Sequence, residues 1–148
     1  MATRSLIAQK EGRHYKTIYC HWDGYLDYNG AILVEHYNTF EKVSELISLG
    51  YLSALREKLA PAEGEKHSFD NPQRDVCIFY GRDRGEEGVE AKTYKSRKAL
   101  YEAAQDCWAE YIYVFDKGCW YYGDPSDAER KLRRVDTALA TQCNGKEE

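Results

Sequence analysis

The chain contains no stretch near the eighteen or so consecutive apolar residues that cross a bilayer as a helix. Its opening residues, MATRSLIAQKEGRHYK, carry no apolar run resembling a secretion signal. The expectation is a soluble, intracellular chain without membrane association. Basic excess is also missing, since 21 Lys and Arg stand against 25 Asp and Glu, a net charge of −4. General nucleic-acid binding draws on many cationic phosphate contacts, so that class is set aside, although a local basic patch is not. The five cysteines, Cys20, Cys77, Cys107, Cys119 and Cys143, are odd in number, widely spaced and without a C-x-x-C pair. That pattern excludes a disulfide framework and gives no zinc spacing, so neither metal nor cofactor is expected. The sequence has no G-x-S-x-G, H-E-x-x-H, Walker, kinase, dinucleotide or zinc-deaminase signature. Their absence argues against an enzyme of a familiar kind.

What the chain has in surplus is tyrosine, 13 residues of 148. A tyrosine joins a large apolar ring to a hydroxyl that seeks a partner, which suits sheet faces and recognition surfaces alike. The length is that of one ordinary domain, and the composition, 43% hydrophobic and 31% charged, is that of a folded one.

Two β-type runs, RSLIAQ and KTIYCHW, flank Glu11-Gly12-Arg13 and read as an opening hairpin. AILVEHY follows the Asn29-Gly30 turn signal and reads as a short helix. Thr39 caps a helix over 40–49 whose Phe40, Val43, Leu46 and Ile47 share a face and which stops at Gly50. YLSALREKL reads as a further helical turn, and residues 60–75, with two of the three prolines, as an exposed loop. VCIFYG is a strand, with VEAKTY returning antiparallel to it. Ser96 opens a helix carrying Leu100, Ala103, Ala104 and Cys107 inward. EYIYVFD and CWYYGD around Lys117-Gly118 form a hairpin. Asp124-Pro125 starts a last helix with Ala128, Leu132, Val135 and Leu139 as its stripe and Arg130, Lys131, Arg133 and Arg134 largely opposite. The result is an α+β single domain over residues 1–140, an antiparallel sheet of hairpins with helices on one face, and a frayed tail over 141–148.

Two segments concentrate chemistry. In YCHWDGYLDYNG, strand alternation puts His21 and Asp23 on one side and Cys20 and Trp22 on the other. The carboxylate then either orients His21 as a general base, with His36 within range for a metal, or merely closes the following turn. Trp22 and Tyr25 join this segment as contact residues. In FYGRDRGEEG, Tyr80, Arg82, Asp83 and Arg84 sit between glycines after a strand. The two guanidinium groups either hold a phosphate or carboxylate, or pair with Asp83, Glu86 and Glu87 in a solvated turn. Tyr111, Tyr113 and Phe115 alternate with Ile112 and Val114, so that strand is apolar on both faces. It is either central between two layers or offers an aromatic face to a partner or a second copy.

IYCHWDGYLDYNGAILVEHYNTFEKVSELISLGYLSAL, with GEKHSFD and CIFYGRDRGEEG after it, resembles a family of small proteins encoded by tailed bacteriophages and prophages. The likeness covers roughly residues 3–95, with CHWDGY and FYGRDRGE its distinctive parts. It brings no activity with it. It implies a phage accessory protein in the host bacterial cytoplasm, where small acidic proteins often block defence machinery. Two functions follow as expectations. The first is a non-catalytic binder that inhibits a host defence component, by occupying a protein or sequestering a nucleotide signal. The alternative is a small enzyme on a nucleotide or phosphate ester, with His21 as base, Asp23 orienting it, and Arg82 and Arg84 holding the anion.

Overall fold

The structure, a computed structural model, describes residues 2–147, with side chains described as far as Thr141. Strands β1 (Ser5–Glu11) and β2 (His14–Cys20) form the opening hairpin, paired from Ser5↔Cys20 to Glu11↔His14. A π-type turn over Leu26–Gly30 leads into α1 (Ala31–His36), and Thr39 caps α2 (Phe40–Ser48) by accepting the Lys42 N–H. Then come β3 (Leu52–Ala54), β4 (Ile78–Phe79), the single turn α3 (Tyr80–Arg84), β5 (Lys92–Tyr94) and α4 (Arg97–Asp106). The chain closes with the hairpin β6 (Tyr111–Asp116) and β7 (Cys119–Gly123), then β8 (Arg133–Arg134) and α5 (Val135–Glu147). Lys117 and Gly118 both take positive φ, 51° and 83°, as a two-residue turn matched to strand twist requires.

The sheet runs β4-β3-β2-β1-β6-β7-β8, with β5 sharing the outer edge of β2. Most pairs are antiparallel, but two are not: β2 meets β3 in parallel at Cys20↔Leu52, and in the middle of the sheet β1 and β6 run parallel from Ser5↔Tyr111 to Gln9↔Phe115. An expectation of hairpins alone misses this seam, because it joins the middles of two separate hairpins.

Helices cover both faces of the sheet, which corrects the expectation of one. Alternation on β1 and β6 divides the core. Ile7, Tyr113 and Phe115 point to a cluster with Leu33, Val43, Leu46, Ile47 and Val135 from α1, α2 and α5. Leu6, Ala8, Ile112 and Val114 point the other way, onto Leu100, Tyr101 and Ala104 of α4. The doubly apolar strand is therefore central between two layers.

Three element assignments change. YLSALREKL contains a strand, because Leu52, Ser53 and Ala54 are all buried between β2 and β4. VEAKTY pairs not with β4 but with β2, Tyr94 opposite Tyr15. No helix starts at Asp124-Pro125. The Asp124 carboxylate accepts from the Ser126 N–H, Asp127 accepts from Glu129 and Lys131, and Arg130 is left-handed at φ 53°. These local bonds compete with the helix ladder and delay α5 to Val135. Arg130 and Lys131 thus lie before α5 rather than on it, and Arg133 and Arg134 form β8 beside Tyr121 and Tyr122. Phe40, expected on the buried face of α2, is 55% exposed. The segment given as a tail over 141–148 falls within the last turns of α5, up to Glu147, and mostly on side chains outside those described. No helix among the described residues is long and apolar enough to cross a membrane.

Candidate functional site

At the C-terminal end of β2 the chain turns sharply, and five hydrogen bonds fix how. The N–H groups of His21 and Trp22 bond to the carbonyls of Leu52 and Ser53. Asp23 takes φ 57°, and the Gly24 N–H bonds to Thr3 O at 2.8 Å. A Cβ on Gly24 would stand 2.7 Å from that oxygen, so only glycine admits the approach. Buried Asn29 then donates from Nδ2 to Trp22 O at 3.1 Å, and Tyr113 Oη donates to Gly24 O at 2.6 Å. The backbone is held from beneath, and Trp22, Tyr25 and Tyr28 are left exposed on top.

His21 and Asp23 do not form a pair. Tyr25 Oη donates to Asp23 Oδ1 at 2.9 Å, whereas His21 Nδ1 lies 2.7 Å from Tyr19 Oη. Burial, opposed by Arg4, pushes the Tyr19 hydroxyl up to about 12. Burial and then the Arg4 charge pull His21 below its ordinary value. Phenol and imidazole are therefore both neutral at pH 7, and the two share one hydrogen bond. The left-handed turn at Asp23 breaks the strand alternation on which the expected pairing depended. His36 ends α1, between Leu33 and Tyr37 of the opposite core layer, and pairs with Glu35 at 3.7 Å. No group of three or more possible metal ligands occurs among the described residues.

The second segment folds on itself. Arg82 donates to both oxygens of Asp83, to Cys77 O and to Leu59 O, and its guanidinium lies 4.8 Å from the Phe79 ring. Asp83, with its side chain 4% exposed, also accepts the Phe79 N–H at 2.8 Å and faces His67 Nε2 at 3.3 Å. His67 Nδ1 accepts the Gln73 N–H, so in the neutral ring the proton sits on Nε2, shared with Cys77 O at 3.0 Å. Arg84 pairs with Glu86 and lies over Phe69 and Tyr80. Arg82 ties the two ends of the 60–75 loop, at Leu59 and Cys77, to α3, Arg84 covers Phe69 within it, and Arg82 has few donors left for an anion. His67, unremarked in sequence, is the centre of that clasp.

The two segments nevertheless share one surface. On the α4 face, a cleft of about 890 Å³ opens between α4, the end of β2 and the 86–94 segment. Its walls include Tyr19, Tyr51, Tyr80 and Tyr94, with Arg4 and Lys92 among them and Glu86, Glu102 and Asp106 around them. Trp108, 78% exposed and left-handed at φ 63°, stands on the lining beside Cys107. A bulky residue at positive φ is rare and costs backbone energy. Aromatic contact runs outward without a break, from Tyr51 to Tyr19 (5.9 Å), Tyr19 to His21 (6.0 Å) and His21 to Trp22 (4.8 Å between centroids). Of the expected residues, His21, Trp22 and Tyr80 belong to this band. Tyr25 continues the exposed surface through its contact with Tyr28, at 6.1 Å. Asp23 serves the turn, while Arg82, Asp83 and His36 lie elsewhere and Arg84 touches the cleft only at its edge, through Tyr80 and Glu86. Tyr51, Tyr94, Arg4 and Trp108 escaped sequence reasoning, and the tyrosine surplus was the one signal that pointed to them. No protein-family model, curated protein or solved structure matches the chain.

Proposed function

We propose that the chain is a non-catalytic binding protein that occupies a surface of a protein partner through its aromatic band. The resemblance of CHWDGY and FYGRDRGE to phage and prophage proteins makes that partner a component of host defence and the host cytoplasm the setting. The observation that carries the reading is the unbroken surface from the tyrosine cleft to exposed Trp22. Tyr and Trp dominate the energetics of protein interfaces, and a protein rarely leaves such an array uncovered without use. Sequestration of a nucleotide fits less well, because Glu86, Glu102 and Asp106 outnumber Arg4 and Lys92 around the cleft. The enzyme reading loses its parts, since His21 and Asp23 bond elsewhere and Arg82 is spent on the loop clasp.

A native mass measurement tests this, on the purified chain alone and after mixing with extract from defence-carrying bacteria. The expected result is a stoichiometric complex with one protein that Tyr51→Ala removes. Only free chain, or a bound small molecule without protein, overturns it.

A further inference from the structure

We infer that the tyrosine cleft receives a guanidinium, the side chain of an arginine carried on a basic protruding segment of the protein partner. This rests on the binding reading above and names the group that enters. Three observations converge on it. The first is shape and surface: tyrosine faces carry the negative side of the ring quadrupole, and a planar cation stacks on them. The fold already uses that contact at the cleft's edge, where the Arg84 guanidinium lies 5.9 Å from the Tyr80 ring.

The second is charge. Glu102 and Asp106 stand one turn apart on exposed positions of α4, and Glu86 approaches from the loop. Their partners are weak surface ones, Lys98 at 3.9 Å from Glu102 and Arg84 at 3.4 Å from Glu86. The cleft's own cations are engaged, Arg4 Nη1 on Cys107 O and Lys92 over Tyr51. An incoming anion faces three carboxylates on the lining, and a neutral ring leaves them unused. An ammonium lacks the plane that stacks. A guanidinium uses ring faces and carboxylates together.

The third is Trp108, exposed on the lining in a backbone conformation that folding alone does not favour. Tryptophan, tyrosine and arginine are the residues enriched at the energetic centres of interfaces, and such residues tend to face one another across them.

Calorimetry on the full chain tests the inference with a short capped glycine peptide bearing arginine, its citrulline and lysine counterparts, and adenosine triphosphate. Saturable binding of the arginine peptide is expected, with citrulline, equal in shape but uncharged, failing to bind and lysine binding more weakly. Tyr51→Ala, or Glu102→Gln with Asp106→Asn, should weaken it by about tenfold or more, with far-ultraviolet circular dichroism unchanged. No binding of the arginine peptide, equal binding of citrulline or lysine, or nucleotide binding abolished by the same substitutions overturns it. Should the peptides fail while the native-mass complex still depends on Tyr51, the guanidinium is wrong and the binding reading stands. Should both fail, the binding reading falls as well.

Discussion

Tyr19 Oη and His21 Nδ1 stand 2.7 Å apart at the end of β2, one lining the cleft and the other touching Trp22. This bond joins the enclosed part of the aromatic band to its exposed part. His21 also stands where burial and Arg4 disfavour its charged form, with a consequence for pH.

Burial and Arg4 lower the folded-state pKa of His21. As pH falls, the unfolded chain takes up this proton first, near the ordinary value of about 6.5, so stability drops below that pH and levels once the folded ring also protonates. His21→Gln should flatten this contribution in urea denaturation midpoints between about pH 5 and 7.5. Arg4→Gln should move the His21 titration upward in an NMR pH series. A His21 resonance titrating above its ordinary value contradicts the assignment.

At Asp83 the sign is opposite. Burial raises this carboxyl, but the Arg82 guanidinium, the Phe79 N–H and His67 outweigh it and hold it below its ordinary value. Its contribution is present above the unfolded value of about 3.9 and is lost as pH falls through the folded one. Asp83→Ala leaves the Phe79 N–H and Arg82 without this acceptor and should cost about 2 kcal/mol or more at neutral pH. Proteolysis within residues 60–75 should accelerate in the same variant. Unchanged cleavage would show that the loop is held without the clasp.

Gly24→Ala tests the turn beneath the exposed aromatics. The added methyl meets Thr3 O at 2.7 Å, just before β1, and Ser5 Cβ at 3.0 Å, at its first residue. Overpacking of this kind costs about 1–3 kcal/mol. The thermal midpoint should fall and Trp22 fluorescence should change, while Gly64→Ala in the open loop should leave Trp22 unaltered.

Trp108→Gly should separate stability from function. Glycine adopts φ 63° freely, so the variant should gain up to about 1 kcal/mol in chemical denaturation. Partner binding should weaken at the same time. A variant that is more stable and binds as well as the parent would remove Trp108 from the contact surface.

Local elements were legible where local chemistry decides them. Thr39 and Ser96 cap their helices as their side chains dictate, and Lys117-Gly118 makes its turn because the residue pair tolerates positive φ. The errors have separate causes. Residues 51–59 have helix-compatible apolar spacing, but the edge of β2 was open to them and tertiary pairing prevailed over local pattern. Over residues 124–131 the carboxylates of Asp124 and Asp127 captured the backbone N–H groups that a helix would use. The His21–Asp23 pairing failed at one dihedral, the left-handed Asp23, which no periodicity announces. The cleft was illegible for a different reason: its tyrosines come from β2, the start of β3, α3 and β5, and only the sheet order brings them together.

That sheet order also sets a sequence of events during synthesis. The central seam pairs Ser5 with Tyr111, more than a hundred residues downstream. Until β6 has left the ribosome, the first hairpin carries an open inner edge with Leu6, Ile7 and Ala8 uncovered. Contacts of such separation slow folding, because a long loop must close before the pairing stabilises anything. The Glu110 N–H completes the arrangement by bonding to Arg4 O, so the two ends of the cleft lock together in the same late step. A nascent or truncated chain ending before β6 therefore has neither a closed sheet nor a binding surface, and the protein acquires both at once.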